Sequence, residues 1–245
     1  MYVTLLNIWR ATHMSRFTNL GLVVGLAAII AGCGGGGNGL TNQPDARVAF
    51  ANVMPGIASA KAKVGEDTIG DNILFETVSD NAITSNSSKD LTVGDTTFDN
   101  LASLDNQVYQ VEHRYTAVGY GTSPRAILLI DHDKSQATNN TVGIRATHAA
   151  QGAPAVDVYL SATGDALPAS PSFDALAVAA TSDFSEVPVT GTNQYRIRVY
   201  ADGNTTTAIV DKIVTIQPRE RWSAIVYVDS GEASGFNVLM VKESI

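Results

Sequence analysis

Cysteine is nearly absent. The chain has one, Cys33, in 245 residues, so no intrachain disulfide can form and thiol-rich metal sites are excluded by count. Basic residues are also scarce: 16 Lys and Arg stand against 24 Asp and Glu, a formal net charge of −8. No Lys/Arg-rich stretch follows Cys33. Neutralising a phosphate backbone needs a basic face, so nucleic acid is not an expected partner. Long apolar runs are missing as well. The one run, Leu20–Ile30, is too short to cross a bilayer as a helix, and no second run of comparable hydropathy follows. Catalytic signatures are missing too: there is no G-x-S-x-G elbow, no H-E-x-x-H, no P-loop and no G-x-G-x-x-G. A Ser-His-Asp triad is recognised by geometry and leaves no spacing to read. The expectation is a protein that is not an enzyme and uses no resident metal or cofactor.

What is present begins at Leu20–Gly37, LGLVVGLAAIIAGCGGGG. A positive residue, Arg16, precedes the apolar run, and the run ends in Ile30-Ala31-Gly32-Cys33 before a glycine tract. This resembles the signal segment and lipobox of bacterial lipoproteins. The resemblance implies that residues 1–32 are a signal peptide, with Met14 as its expected start. It implies further that Cys33 carries a covalent diacylglycerol and acyl lipid, and that the membrane is reached through this anchor. Gly34, where an Asp would signal inner-membrane retention, implies an outer-membrane location. Residues 33–45 then form a tether, rich in glycine that is costly to order, with a reach of roughly 20 Å. Cleavage before Cys33 leaves 213 residues, enough for one large or two modest cores.

Beyond Pro44 the period is two, the mark of half-buried strands. Ala46–Val53 places Val48 and Phe50 on one face, and Ala58–Val64 points Ala60, Ala62 and Val64 inward with Lys61 and Lys63 outward. Residues 79–100 read as turns and an exposed hairpin around Leu91–Val93 and Thr96–Phe98. Gln107–His113, Tyr115–Tyr120 and the apolar run Ala126–Ile130 follow as strands. Asp131–Asn140 is polar and marks a boundary. Strand patterns resume at Thr141–Thr147, Val156–Leu160, Tyr195–Tyr200, Ala208–Val210, Ile213–Ile216, Trp222–Val228 and Phe236–Val241, with 161–174 as a loop.

The second half repeats the first. Gly56 and Gly152 lie 96 residues apart, each ahead of a strand of small residues. Arg114–Tyr120 matches Arg221–Tyr227 at an offset of 107, and Ile127–Ile130 matches Val238–Val241 at 111. Three ordered matches predict an all-β fold of two tandem antiparallel β-sandwich domains, immunoglobulin-like or transthyretin-like. The first domain is 46–131, the linker is 132–140 and the second domain is 141–245.

Val142–Ala150, VGIRATHAA, then Gly152–Tyr159, GAPAVDVY, and later Tyr195–Val199 resemble the DUF4397 family. The resemblance implies compact β-sandwich modules of secreted or surface-anchored bacterial proteins, without an established activity. It covers about 141–243 well and 46–131 weakly: Asn52 stands at the position of His148, Ala58 at that of Pro154 and Lys61 at that of Asp157. The first copy thus reads as diverged.

His148 and Asp157 flank the Gly152-Ala153-Pro154 turn and are the candidate site residues. They suit either an acid–base or metal pair, or hydrogen bonds that lock the turn; the turn-lock reading is preferred, because metal sites need three or four ligands. Asp131-His132-Asp133 reads as a solvated turn. Tyr115 and Trp222 open the same strand in the two copies and are either core anchors or, if exposed, sugar platforms. Arg196, Arg198 and Tyr200 share one strand face, expected to be solvated. Together these readings predict a lipid-anchored envelope protein for binding, adhesion or envelope structure, with a protein or glycan ligand. The alternatives are an envelope-polymer hydrolase or metal-dependent enzyme using the second domain, and a carbohydrate-binding module.

Overall fold

The computed structural model describes residues 45–243 apart from 81, 85–87 and 133. The expected signal segment, Cys33 and the expected tether up to residue 44 lie outside the described residues. Every element among the described residues is a strand, and no helix there is long and apolar enough to cross a membrane. Nine strands form the first copy: β1 (Ala46–Val53), β2 (Ser59–Val64), β3 (Asp67–Leu74), β4 (Thr77–Val78), β5 (Ala82–Thr84), β6 (Ser88–Gly94), β7 (Asn100–Val108), β8 (Arg114–Tyr120) and β9 (Ala126–Asp131). Eight form the second: β10 (Thr141–His148), β11 (Val156–Ala162), β12 (Phe173–Leu176), β13 (Ser185–Pro188), β14 (Gln194–Ala201), β15 (Val210–Thr215), β16 (Arg221–Val228) and β17 (Phe236–Lys242).

Each copy is a sandwich of two sheets with the same topology. The first has an inner sheet β4-β1-β8-β9, with β5 also on β1, and an outer sheet β3-β2-β6-β7. The second has an inner sheet β13-β10-β16-β17 and an outer sheet β12-β11-β14-β15. The all-β sandwich architecture expected from the strand pattern is present. Its pairing is not purely antiparallel: β1 runs parallel to β8, and β10 parallel to β16. The chain leaves each inner sheet after its first strand, builds the outer sheet, and returns in the same direction, and a parallel neighbour requires such a crossover.

The period-two pattern explains the outer sheets directly. In β2, Ala60, Ala62 and Val64 are fully buried while Ser59, Lys61 and Lys63 are not. The inner strands are different. Ala46, Val48 and Phe50 of β1 enter the core of the first sandwich, and Ala51 and Val53 enter another core altogether. That third core joins the copies: Val118, Tyr120 and Ile130 pack with Ala149, Ile225, Tyr227 and Val241. The four sheets therefore stack in the order outer, inner, inner, outer. The continuous apolar runs of β9 and β17 follow from this, because an inner sheet is covered on both faces. Ile127 and Leu129 face the first sandwich core, Leu128 and Ile130 the seam. Val238 and Met240 face the second core, Leu239 and Val241 the seam.

Some expectations fail here. Gln107–His113 is not a strand: β7 ends at Val108 and a turn follows. Leu91 and Val93 are not an exposed hairpin; they are fully buried on β6, and residues 96–98 are only the turn into β7. Two apolar residues at i and i+2 suffice for an outer strand with one wet face. His132 is not in a solvated turn; it is 7% exposed at the edge of the seam.

Candidate functional site

The turn after the first strand of each copy is set by its sequence. Ile57 N–H donates to Met54 O (3.1 Å) across Pro55-Gly56, and Ala153 N–H donates to Ala150 O (3.2 Å) across Gln151-Gly152. Gly56 and Gly152 have φ of +80° and +84°, the left-handed backbone that such a turn assigns to glycine. His148 lies beneath the second turn, fully buried. Its Nδ1 accepts Ala150 N–H (3.2 Å) and its Nε2 donates to Pro154 O (3.0 Å). An imidazole that accepts at one nitrogen and donates at the other is neutral. Burial pushes its pKa down, against the carbonyl of Pro154, which raises it.

Asn52 occupies the corresponding place. The register sets Asn52 opposite Gly119 and His148 opposite Val226, equivalent positions of β8 and β16. Asn52 Oδ1 accepts Met54 N–H (3.3 Å), and Nδ2 donates to Ile57 O (3.2 Å) and Ile73 O (3.0 Å). The amide thus makes the same two kinds of bond as the imidazole. Asp157 does not meet His148. Its Oδ1 accepts Ala175 N–H (2.8 Å) and its Oδ2 accepts Gly203 N–H (3.0 Å), so one oxygen holds edge strand β12 and the other the loop after β14. Asp174 and Asp202, both exposed, bring carboxylates within 4.8 Å of it.

A second equivalent slot lies just past the last strand of each copy. His132 N–H donates to Arg114 O (2.8 Å) and Glu243 N–H to Arg221 O (2.9 Å). His132 Nε2 meets Thr116 Oγ1 at 2.8 Å, whereas Glu243 accepts from Ser223 Oγ, the residue equivalent to Thr116. Glu243 also takes both forks of Arg145, Nε at 2.7 Å and Nη2 at 2.8 Å, and Arg145 Nη2 reaches across the seam to Asp131 O (2.7 Å). Arg145 stands where the first copy has Ala49. Burial pushes the His132 pKa down to about 4, and the nearby guanidinium groups of Arg145 and Arg114 add to this.

Other sequence candidates fall into packing roles. Tyr115 is 4% exposed, and its hydroxyl accepts Gln110 N–H (3.0 Å). Trp222 packs on the second core and donates Nε1–H to Glu220 (3.0 Å). Neither ring is a free platform. Arg196 is paired with Asp211 (2.7 and 2.5 Å). Arg198 and Tyr200 are buried, contrary to the expected wet face: Arg198 donates to Ser161 Oγ (2.8 Å) and Ala166 O (3.0 Å), so the loop after β11 lies over it.

Sequence reading missed a repeated Ser-Asp pair. Ser79 Oγ accepts Phe50 N–H (2.9 Å) and Ser79 N–H donates to Phe50 O (2.8 Å); Ser182 does the same with Ala146 (3.0 and 2.9 Å). The signal was the recurrence of Ser79-Asp80 as Ser182-Asp183, 103 residues on.

Residues 46–159 match the family model described as a domain of unknown function, DUF4397. The stretch includes the whole first copy, the one expected to match weakly, and runs on through the signature of β10 and β11. Strand order and the turn glycine survive there although Asn52 has replaced the histidine. A solved structure from work on alpha-glucan binding by a streptococcal virulence factor is similar at 8% identity, with a TM-score of 0.28, over 75% of this chain and 93% of that one. At that level the likeness says nothing about what this chain binds. No curated protein matches.

Proposed function

We propose that this chain is a non-enzymatic, lipid-anchored protein of the bacterial envelope. Cys33 carries the lipid and holds the body at the outer membrane, and the stacked sandwiches serve binding or envelope architecture. The observation that carries this reading is the exchange of His148 for Asn52 in the same hydrogen-bonding role. An amide cannot shuttle a proton at neutral pH, so the slot is kept for its bonds and not for acid–base chemistry. Asp157 supports the same view, since its two oxygens are taken by backbone N–H groups. What remains to act is the surface and its partner, a protein or a glycan.

Two experiments test it. An azido fatty acid should label the wild type and leave Cys33→Ser unlabelled; equal labelling of both, or of neither, overturns the anchor. His148→Asn and Asp157→Asn should leave envelope phenotypes intact while lowering thermal stability. Loss of a phenotype at unchanged stability would restore the enzymatic reading.

A further inference from the structure

The last strand of each copy is the edge of its inner sheet: β9 pairs only with β8, and β17 only with β16. In an antiparallel ladder bonded and non-bonded positions alternate, so one terminal bond fixes the rest. His132 N–H donates to Arg114 O, and Glu243 N–H to Arg221 O. Counting back by two, Ile130, Leu128 and Ala126 turn their main-chain groups to β8, and Val241, Leu239 and Asn237 turn theirs to β16. Ile127 and Leu129 of β9 therefore face outward, as do Val238 and Met240 of β17.

The two edges are treated differently. On β15, Lys212 lies between Val210 and Val214 on the core side of the strand. Its Nζ donates to Val238 O (2.5 Å) and Asn237 Oδ1 (3.4 Å), so it caps the β17 edge. An inward lysine of this kind keeps other strands off an edge. The register identifies its counterpart. Val64 and Leu160 are 96 residues apart, as the turn glycines are. Val64 faces Leu91 and Leu160 faces Ile197; Leu91 in turn faces Leu104, and Ile197 faces Lys212. Leu104 packs on the first core and has nothing to donate. Ile127, which stands where Val238 does, receives no cap. Among the described residues no group bonds the main chain of Ile127 or Leu129 on this side.

One end of the open edge is occupied and the other is not. Asp131 O accepts Arg145 Nη2 (2.7 Å), and the Asp131 carboxylate meets His113 Nδ1 (3.0 Å). At the other end Arg125 shares the strand face of Ile127 and Leu129 by the period of two. Its Nε is buried without a hydrogen-bond partner, and no ion pair of the described residues includes it. A buried donor left unpaired is unfavourable, and a carboxylate is the acceptor a guanidinium bonds best.

We propose that the β9 edge from Arg125 to Leu129 takes up an extended peptide segment of a protein partner as an added antiparallel strand. Main-chain pairs form at Ile127 and Leu129. Apolar side chains of the segment lie beside those two residues, and an acidic residue two positions further on meets Arg125. A glycan has no main chain that supplies donors and acceptors at this spacing. The site rests on the reading of the body as a binding module and is independent of the anchor at Cys33.

The test is fluorescence polarisation of the purified full-length protein with the labelled peptide Thr-Val-Thr-Val-Thr-Glu. Antiparallel pairing sets its valines opposite Leu129 and Ile127 and its glutamate opposite Arg125. This peptide should bind. N-methylation of both valines, whose N–H groups face β9, should abolish binding; N-methylation of the threonine between them, whose N–H faces away, should change it less than threefold. The reversed peptide, which brings its glutamate to Asp131, should bind at least fivefold more weakly. Arg125→Gln should weaken the parent peptide at least fivefold and leave a peptide ending in Gln unchanged. Leu104→Lys, which moves the cap of the second copy into the first, should weaken binding at least tenfold. Thermal melts establish that each variant is folded; if Leu104→Lys is not, Arg125→Gln and the methylated peptides decide. No binding, equal binding of the valine-methylated or reversed peptide, or indifference to Arg125→Gln overturns the site. If Cys33 is labelled while no peptide binds, the site falls and the anchor stands.

Discussion

The two copies share a backbone and exchange their titratable residues. The turn-lock slot holds Asn52 in the first copy and His148 in the second, whereas the slot past the last strand holds His132 in the first and Glu243 in the second. In each slot the main-chain bonds are the same and the side chain differs. The fold therefore selects for a donor or acceptor at a given place and not for a residue type. The exception teaches more. Glu243 can stay buried as a carboxylate because Arg145 faces it, and Arg145 has no counterpart in the first copy, where Ala49 stands.

That asymmetry gives the largest expected effect. Glu243→Ala removes the carboxylate from Arg145, whose side chain is only 12% exposed, and should cost about 3–5 kcal/mol in urea unfolding. Arg145→Ala/Glu243→His rebuilds the second copy in the manner of the first and should recover most of that loss. If the double variant is no better than the single, the slots are not interchangeable.

Next comes acid sensitivity. His132 has a folded pKa of about 4 against 6.5 unfolded, so the unfolded chain binds its proton first. Its contribution is fully present above pH 6.5 and is lost as pH falls from there towards 4, on the order of 3 kcal/mol. His148 shifts in the same direction. Unfolding free energies at pH 7 and 4.5 should differ less in His132→Asn than in wild type; an unchanged difference would remove His132 as the cause.

A smaller effect is expected at the turn locks. His148→Ala leaves Ala150 N–H and Pro154 O without their partner and should cost about 2 kcal/mol. His148→Asn should cost less than half as much, because Asn52 already fills this role. The smallest effect should be at the repeated serines: Ser79→Ala and Ser182→Ala should each cost about 1 kcal/mol, and by similar amounts. Unequal costs would show that one copy bears more of the stability.

Much of this was legible in the chain. Strict alternation gave β1, β2, β11 and β14, and the matching blocks Arg114–Tyr120 and Arg221–Tyr227 gave the repeat. The apolar run of β9 announced a strand covered on both faces. The identity of the covering layer was not legible, because the seam is made by residues far apart in sequence, such as Val53 and Tyr227. β6 is hidden because Leu91 and Val93 lie among polar residues. The bond from the Tyr227 hydroxyl to Glu76 has no local pattern at all, since it joins residues 151 positions apart.

The parallel pairing of β1 with β8 has a mechanical consequence. Residue 45 leads directly into β1, so a pull on the preceding chain acts along that strand. Seven register pairs, Arg47 to Val53 against Arg114 to Tyr120, would resist together in shear, with β4 and β5 gripping the other edge. A hairpin pulled from its open end would instead unzip pair by pair. A body loaded in this way can bear tension from a surface without opening its sheets.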